Sequence, residues 1–159
     1  MITATQQTKN AIKWLEALKG NSGFKKTTEK LAETDIEGVP QKYCCLGVGC
    51  KIMKIAPDDW SDGSESALVE KLGLFNEDGG FFEVTAADDE GEEFIDGCEV
   101  KIKNEKGNFY PDSLVSLNDD VFTDDNNFKN IRAFILKNLD KVFKPKVAKK
   151  LKEHFKRKK

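Results

Sequence analysis

The sequence predicts a single α+β domain, in which three to four helices surround a buried, cysteine-rich helix beside a small antiparallel β-sheet. Three observations predict this class. The 159 residues fall in the size range of one domain. Residues 43–55 hold three of the four cysteines, no acidic residue and mostly apolar side chains, which is typical of a buried helix. Residues 80–110 contain short apolar stretches separated by glycine-containing turns, as small antiparallel sheets do.

The N-terminal segment predicts an amphipathic helix over 5–19 that ends at Gly20. Its apolar residues repeat with helical spacing: Ala11, Trp14, Leu15 and Leu18. Residues 24–37 show little periodicity, so this segment is predicted to be irregular, with one helical turn at most over 28–32.

Residues 43–55 form the predicted central helix, which Pro57 would end. Apolar positions cover most of its circumference, so the helix should be buried. Gly47 and Gly49 lower helix propensity by about 1 kcal/mol each relative to alanine. We expect these glycines to permit the close approach of another backbone.

The segments after this helix alternate between helical and strand patterns. A short helix is predicted over 67–72, capped by Ser64 or Ser66 and closed by Gly73. Apolar residues with helical spacing predict one last core helix from about 126 to 142. The remaining elements are expected between these two helices, as strands at 80–85, 93–95, 98–103 and 108–110 and a short element over 114–117.

Charge is strongly segregated along the chain, although the net charge is only −2. Residues 58–125 carry 21 acidic residues against four lysines, and residues 126–159 carry 13 basic residues against two acidic ones. The globular domain is predicted to span 1–143 and to be followed by a basic amphipathic C-terminal tail over 144–159. The acidic middle could mimic nucleic acid and cover the basic groove of a partner protein, or it could be a solvated face.

Sequence features favour a soluble, cytoplasmic protein. No uncharged apolar run is long enough for a membrane span, and the N-terminus lacks the basic and apolar segments of a signal peptide. Cys44 and Cys45 are adjacent, which disfavours their pairing, so all four cysteines are expected to be thiols in a reducing compartment.

Several short motifs are spread over the first 136 residues. They are Trp-Leu-Glu-Ala-Leu at 14–18, Ser-Gly-Phe at 22–24, Tyr-Cys-Cys-Leu-Gly-Val at 43–48, Leu-Gly-Leu at 72–74, Leu-Asn-Asp at 117–119, and Phe128 with Ile131. Together they resemble a broad family of small bacteriophage and prophage proteins. The chain departs from that family's pattern at Gly49 and Arg132 and in its lysine-rich end. The resemblance implies a phage origin, a location in the host cytoplasm and a role in host takeover.

The cysteines and the single histidine form no recognisable catalytic or metal motif. The cysteine spacing at 44, 45 and 50 is not that of a zinc site, and no histidine is nearby. His154 lies among lysines near the C-terminus, which disfavours Cys–His or Ser–His catalysis. We therefore expect no catalytic residue, no metal and no cofactor, and interpret the cysteines of the central helix as small buried hydrophobic residues.

Two acidic regions are candidate ligand- or partner-binding sites. Asn118 and Asp119, with Asp120 beside them, precede a core helix, where they could fix the chain by accepting backbone N–H bonds or could contact a ligand. Asp119 and Asp120 could also bind Mg²⁺ together with Asp124 and Asp125, or these four residues could simply form a turn and favour the following helix dipole. The second region comprises Asp88, Asp89, Glu90, Glu92 and Glu93. It partly matches a calcium-loop register, but Glu93 stands where the sharp turn needs glycine.

The basic tail offers a surface of the opposite charge. It could contact the phosphates of a nucleic acid, or it could be a solvated terminus or fold back onto the acidic middle. The candidate nucleic-acid-binding residues are Lys149, Lys150, Lys152, Lys156 and Arg157.

These features predict a phage-encoded, non-enzymatic binding protein that antagonises a host defence system. It would act either by occupying a host protein or by sequestering a small nucleotide signal. The alternative is a nucleic-acid-binding accessory protein that uses the basic tail. A third hypothesis is a metal-dependent hydrolase built from carboxylates near Asp119 or Asp88.

Overall fold

A computed structural model gives the fold for residues 1–61, 65–88, 91–123 and 127–157, with the backbone alone for 84–88 and 91–96. The predicted α+β class is confirmed. The helices are α1 (Ala4–Ala17), α2 (Cys45–Met53), α3 (Ser66–Leu72), α4 (Leu114–Ser116), α5 (Lys129–Lys137), α6 (Leu139–Val142) and α7 (Pro145–Lys156), with a π-helical segment (Leu117–Val121) after α4.

The strands form three separate two-stranded antiparallel ladders within the described residues, where the sequence predicted one small sheet. The pairs are β1 (Ala32–Thr34) with β2 (Pro40–Tyr43), β3 (Phe82–Asp88) with β4 (Gly91–Asp96), and β5 (Ile102–Asn104) with β6 (Gly107–Phe109). Each ladder is too small to be stable alone, so each depends on its packing against the helical core.

The core is built around α1, which packs against α2, α3 and α7. Thr3 caps α1, because its hydroxyl accepts a hydrogen bond from the Gln6 amide at 3.2 Å. Trp14 is fully buried, and its indole N–H donates to the Cys45 carbonyl at 2.8 Å. The predicted N-terminal helix is therefore confirmed, and its largest side chain joins α1 directly to α2.

The central helix is confirmed as α2, which is buried from Cys45 to Cys50. Its N-cap is a cysteine, since the Cys44 sulfur accepts a hydrogen bond from the Gly47 amide at 3.3 Å. The predicted end at Pro57 is wrong. Lys54 adopts a left-handed conformation and its N–H bonds to carbonyls of the last turn, which closes the helix before the proline is reached.

Gly47 permits the close backbone approach that the sequence predicted. A Cβ at this position would lie 1.8 Å from the Leu31 carbonyl oxygen, which also accepts the Cys44 N–H at 2.9 Å. Gly49 differs, because a Cβ there would meet the side chain of Leu68 at 2.9 Å. The expectation of a backbone neighbour is therefore confirmed at Gly47 and wrong at Gly49.

The predicted irregular segment over 24–37 contains β1 and has no helical turn over 28–32. β1 pairs with β2, which directly precedes α2, and Lys25 and Thr27 bond to the backbone of Tyr43. The segment is irregular outside β1, as predicted. The strand was missed because three residues are too short to show periodicity and their stability comes from partners distant in sequence.

The predicted last core helix is divided into α5 and α6. Asn138 leaves helical dihedral angles, and its side-chain amide donates to the Phe134 carbonyl at 3.0 Å, which ends α5. The basic amphipathic segment that follows forms α7, which packs against α1 and α6. Val147, Ala148 and Leu151 of α7 are buried in the core. None of the described helices has the length and apolar character required to cross a membrane.

Replacing Gly47 with alanine tests the contact between α2 and Leu31. We expect Gly47→Ala to lower the free energy of unfolding by about 3 kcal/mol, because backbone must move to admit the new methyl group. Gly49→Ala is the matched control, since it gains the same helix propensity and displaces only the flexible end of Leu68. Urea denaturation measures both variants, and equal stability of the two would contradict the contact.

Candidate functional site

A groove of about 1180 Å³ lies beside α7. One side contains two aromatic side chains, Phe75 and Phe82, whose rings stack with centroids 4.2 Å apart. Phe82 is fully buried and Phe75 is half-buried. Ala4 of α1 and Val147 of α7 also line the groove, although Val147 is almost fully buried.

The rim of this groove is positively charged. Asp140 and Glu83 are the carboxylates at the groove, and Asp140 forms an ion pair with one of the lysines on α7. The remaining charge is basic and comes from α6, α7 and the residue that joins them: Lys141, Lys144, Lys146, Lys149 and Lys152. Among the side chains that the structure describes, five lysines and two carboxylates line the groove, which is an excess of positive charge at neutral pH.

Backbone hydrogen bonds fix the N-terminus of α7 at the groove. Gly73 ends α3 in a left-handed conformation, and its carbonyl accepts the Lys144 N–H at 2.9 Å. The Lys144 carbonyl accepts the N–H groups of Val147 and Ala148 in turn, both at 2.9 Å. Pro145 occupies the first helical turn, where its fixed φ favours helix initiation. The positive end of the α7 dipole therefore adds to the field of the lysines.

The structure divides the predicted nucleic-acid-binding residues between two places. Lys149 and Lys152 line the groove. The other three are exposed on α7 or just after it and are not part of the groove lining: Lys150, Lys156 and Arg157. Sequence reasoning missed the aromatic residues of the groove, because nothing in the local pattern links Phe75 and Phe82 to lysines 59 to 77 positions later.

Asn118 is an internal structural residue, fully buried in the π-helical segment. Its side-chain oxygen accepts the Cys45 N–H at 3.3 Å, and its amide nitrogen donates to the Thr27 carbonyl at 3.0 Å and to the Asp119 carboxylate at 2.7 Å. Lys26 donates to the Asn118 carbonyl at 2.9 Å. Asn118 thus fixes the start of α2 and not, as its position suggested, the start of the helix that follows it.

Asp119 and Asp120 line a second, smaller cleft of about 690 Å³. Carboxylates from distant parts of the sequence share it: Glu29, Asp78, Asp112, Asp119 and Asp120. Within the described part of the chain, no group of three or more acidic, cysteine or histidine side chains has an arrangement that could hold a metal ion. Asp124 and Asp125, the other carboxylates of the magnesium interpretation, lie outside the described residues.

The second predicted acidic region falls on the hairpin of β3 and β4, where Asp88 pairs with Gly91. Asp89 and Glu90 lie outside the described residues, as do the side chains of Asp88, Glu92 and Glu93. The backbone on either side of the hairpin end consists of paired strands, whereas a calcium loop of the proposed register lies between helices.

Burial keeps the thiols of α2 protonated. It raises the pKa of Cys44 to about 11 and that of Cys50 to about 12, and it raises the pKa of Cys45 well above its ordinary value. Since the thiolate is the reactive form, none of the three is suited to nucleophilic chemistry at neutral pH. The interpretation of these cysteines as buried hydrophobic residues is confirmed. Cys98 differs, because it is half-buried and its sulfur accepts a hydrogen bond from Lys141 at 3.2 Å.

Comparison with known proteins gives no match for this chain, whether with family models, with curated proteins or with solved structures. The resemblance to small bacteriophage proteins stays a prediction from the sequence motifs.

Substitution of Asn118 tests its role in the core. We expect Asn118→Ala to lower the free energy of unfolding by about 2–4 kcal/mol, because the buried Cys45 N–H and Thr27 carbonyl lose their partner and a cavity remains. Asn108→Ala, at an exposed position in β6, is the control and should be almost neutral. Urea denaturation provides the measurement; a neutral Asn118→Ala would show that the amide is dispensable.

Thiol labelling of the native protein tests the burial of α2. At pH 8 a water-soluble thiol reagent should modify one cysteine rapidly, Cys98, and the other three only at the rate at which the structure opens. Four thiols should react at once in denaturant. The Cys98→Ser variant should lack the rapid phase, and a rapid phase of two or more thiols in the native protein would contradict the burial of α2.

Proposed function

We propose that this protein is a non-enzymatic binding protein whose groove beside α7 sequesters a small anionic ligand with an aromatic part, namely a nucleotide. The observation that carries this proposal is the combination of five lysines with the Phe75–Phe82 pair around one cavity. Ligand pockets commonly combine an apolar lining with a few charged groups that orient the ligand. The groove combines an apolar lining with charged groups in this way.

The chemistry of the two sides suits the two parts of a nucleotide. Lysine is a flexible point charge that binds phosphate oxygens well. The half-buried ring of Phe75 offers an aromatic edge or face to a base, and aromatic contacts of this kind are worth about 1–3 kcal/mol per base. At about 1180 Å³, the groove exceeds the range of roughly 300–1,000 Å³ that is common for small-molecule sites, so a mononucleotide or a small cyclic dinucleotide would fit.

Sequestration would act by occupancy. One protein would remove one ligand molecule from solution, so the effect on a host signal would depend on stoichiometry and show no turnover. The antagonism of a host defence system rests on the resemblance to bacteriophage proteins and on this mode of action. The thiols of α2 stay protonated in the core, so they offer no nucleophile to a bound ligand.

One observation favours the alternative, a nucleic-acid-binding protein. The positive surface of α7 continues beyond the groove, where Lys150, Lys156 and Arg157 are exposed. A nucleic acid lying along α7 would contact Lys150, Lys156 and Arg157 as well as Lys149. A nucleotide in the groove would contact Lys149 but not the other three residues.

Binding of nucleotides by isothermal titration calorimetry tests the proposal. The probes are nucleoside mono-, di- and triphosphates and a cyclic dinucleotide, measured at low salt. We expect the paired substitution Lys146→Glu/Lys149→Glu to weaken binding at least tenfold, or about 1.4 kcal/mol, because it reverses two charges at the rim. Lys129→Glu, which changes an exposed lysine of α5 that does not line the groove, should have little effect.

Lys150→Glu separates the two functions. It should leave nucleotide binding nearly unchanged and should weaken the retention of single- or double-stranded nucleic acid if α7 binds a polymer. Failure of every nucleotide probe to bind with Kd below about 1 mM, or an equal loss in the Lys129→Glu variant, would refute the nucleotide site.

A further inference from the structure

The hairpin tip at residues 35–39, between β1 and β2, exposes apolar side chains to solvent. The side chain of Ile36 is fully exposed and that of Val39 is about half-exposed, at 49%. The large hydrophobic residues that are exposed on the described surface are few, and two of the four are at this tip. Ile36 therefore offers apolar surface that the fold leaves open to contact with another surface.

The tip is rigid. One Asp35 carboxylate oxygen accepts the N–H groups of Glu37 at 3.0 Å and Val39 at 2.9 Å, and the other accepts the side-chain amide of Gln41 at 3.0 Å. The Asp35 N–H donates to the Val39 carbonyl at 3.0 Å. These bonds fix the backbone on both sides of Ile36, which lowers the conformational entropy that docking would cost.

The chemistry of the tip defines the surface that would receive it. Ile36 needs an apolar hollow, and the carboxylates of Asp35 and Glu37 beside it need a cationic rim. The groove beside α7 has both features, with the Phe75–Phe82 pair inside and five lysines around it. Charge and apolar surface are therefore complementary between two separate parts of the same chain.

We propose that the hairpin tip of one copy inserts into the groove of a second copy, which gives head-to-tail self-association. The contact is heterologous, since different surfaces of the two copies meet, so further copies can add until a ring closes. It rests on the shape and charge of the groove and holds whether or not the groove binds nucleotides. The contact involves one loop and one groove, so it is a weak one that forms at high protein concentration and weakens with salt.

Sedimentation velocity measures this association. We expect the weight-average mass of the unmodified protein to rise between about 10 µM and about 500 µM at low salt, a range that brackets a Kd of about 100 µM. Ile36→Asp should remove the rise by placing a charge in the hollow. Lys146→Glu/Lys149→Glu should remove it by reversing the rim. The controls Tyr110→Asp, at another exposed apolar residue, and Lys129→Glu should associate as the unmodified protein does.

Mixing the two variants that should not self-associate gives the decisive result. The Ile36→Asp variant keeps an intact groove and the Lys146→Glu/Lys149→Glu variant keeps an intact tip, so an equimolar mixture should form dimers of one copy each and nothing larger. A monomeric mixture would overturn the proposal. An unmodified protein that stays monomeric throughout, an Ile36→Asp variant that still associates, or controls that lose association would overturn it as well. No nucleotide is present in this experiment, so its outcome is independent of the nucleotide test.

Discussion

The packing of the α2 N-terminus against the Leu31 carbonyl is the constraint on which the rest of the fold depends. That carbonyl lies where a side chain at position 47 would be, so the segment before β1 can reach the helix only because residue 47 is glycine. The same carbonyl accepts the Cys44 N–H, and Cys44 in turn caps the helix through its sulfur. A single close contact therefore joins the hairpin, the helix cap and the buried start of α2.

Two buried side chains complete this arrangement from the other parts of the chain. Asn118 accepts the Cys45 N–H and Trp14 donates to the Cys45 carbonyl, so both backbone groups of one residue have side-chain partners. An unpaired polar group in such a place would cost about 1–3 kcal/mol. The cysteines of α2 suit this environment because they are small and remain uncharged when buried. The stretch that looks most reactive in the sequence is therefore scaffold.

The fold was predictable where its signals are local. α1, α2 and α7 carry apolar residues at helical spacing, and Gly73 closes α3 as expected, so each could be found within a short window. β1 has three residues and depends on β2 for its partners, and the break at Asn138 depends on a side-chain bond to Phe134. The groove was not predictable for the same reason. Its lysines lie on α6 and α7, whereas Phe75 reaches them through the pairing of Leu74 with Phe143.

The position of the groove also follows from the packing of α7 against the core. Its apolar side, with Val147, Ala148 and Leu151, is buried in the core. Its lysines therefore flank the helix, and Lys146, Lys149 and Lys152 line the groove. The two proposed occupants of this groove, a nucleotide and the tip of another copy, cannot be bound at once. Self-association would then lower the apparent affinity for a nucleotide in proportion to the fraction of grooves left open. Sequestration would be most effective in dilute solution, where the tips are free and every groove is available.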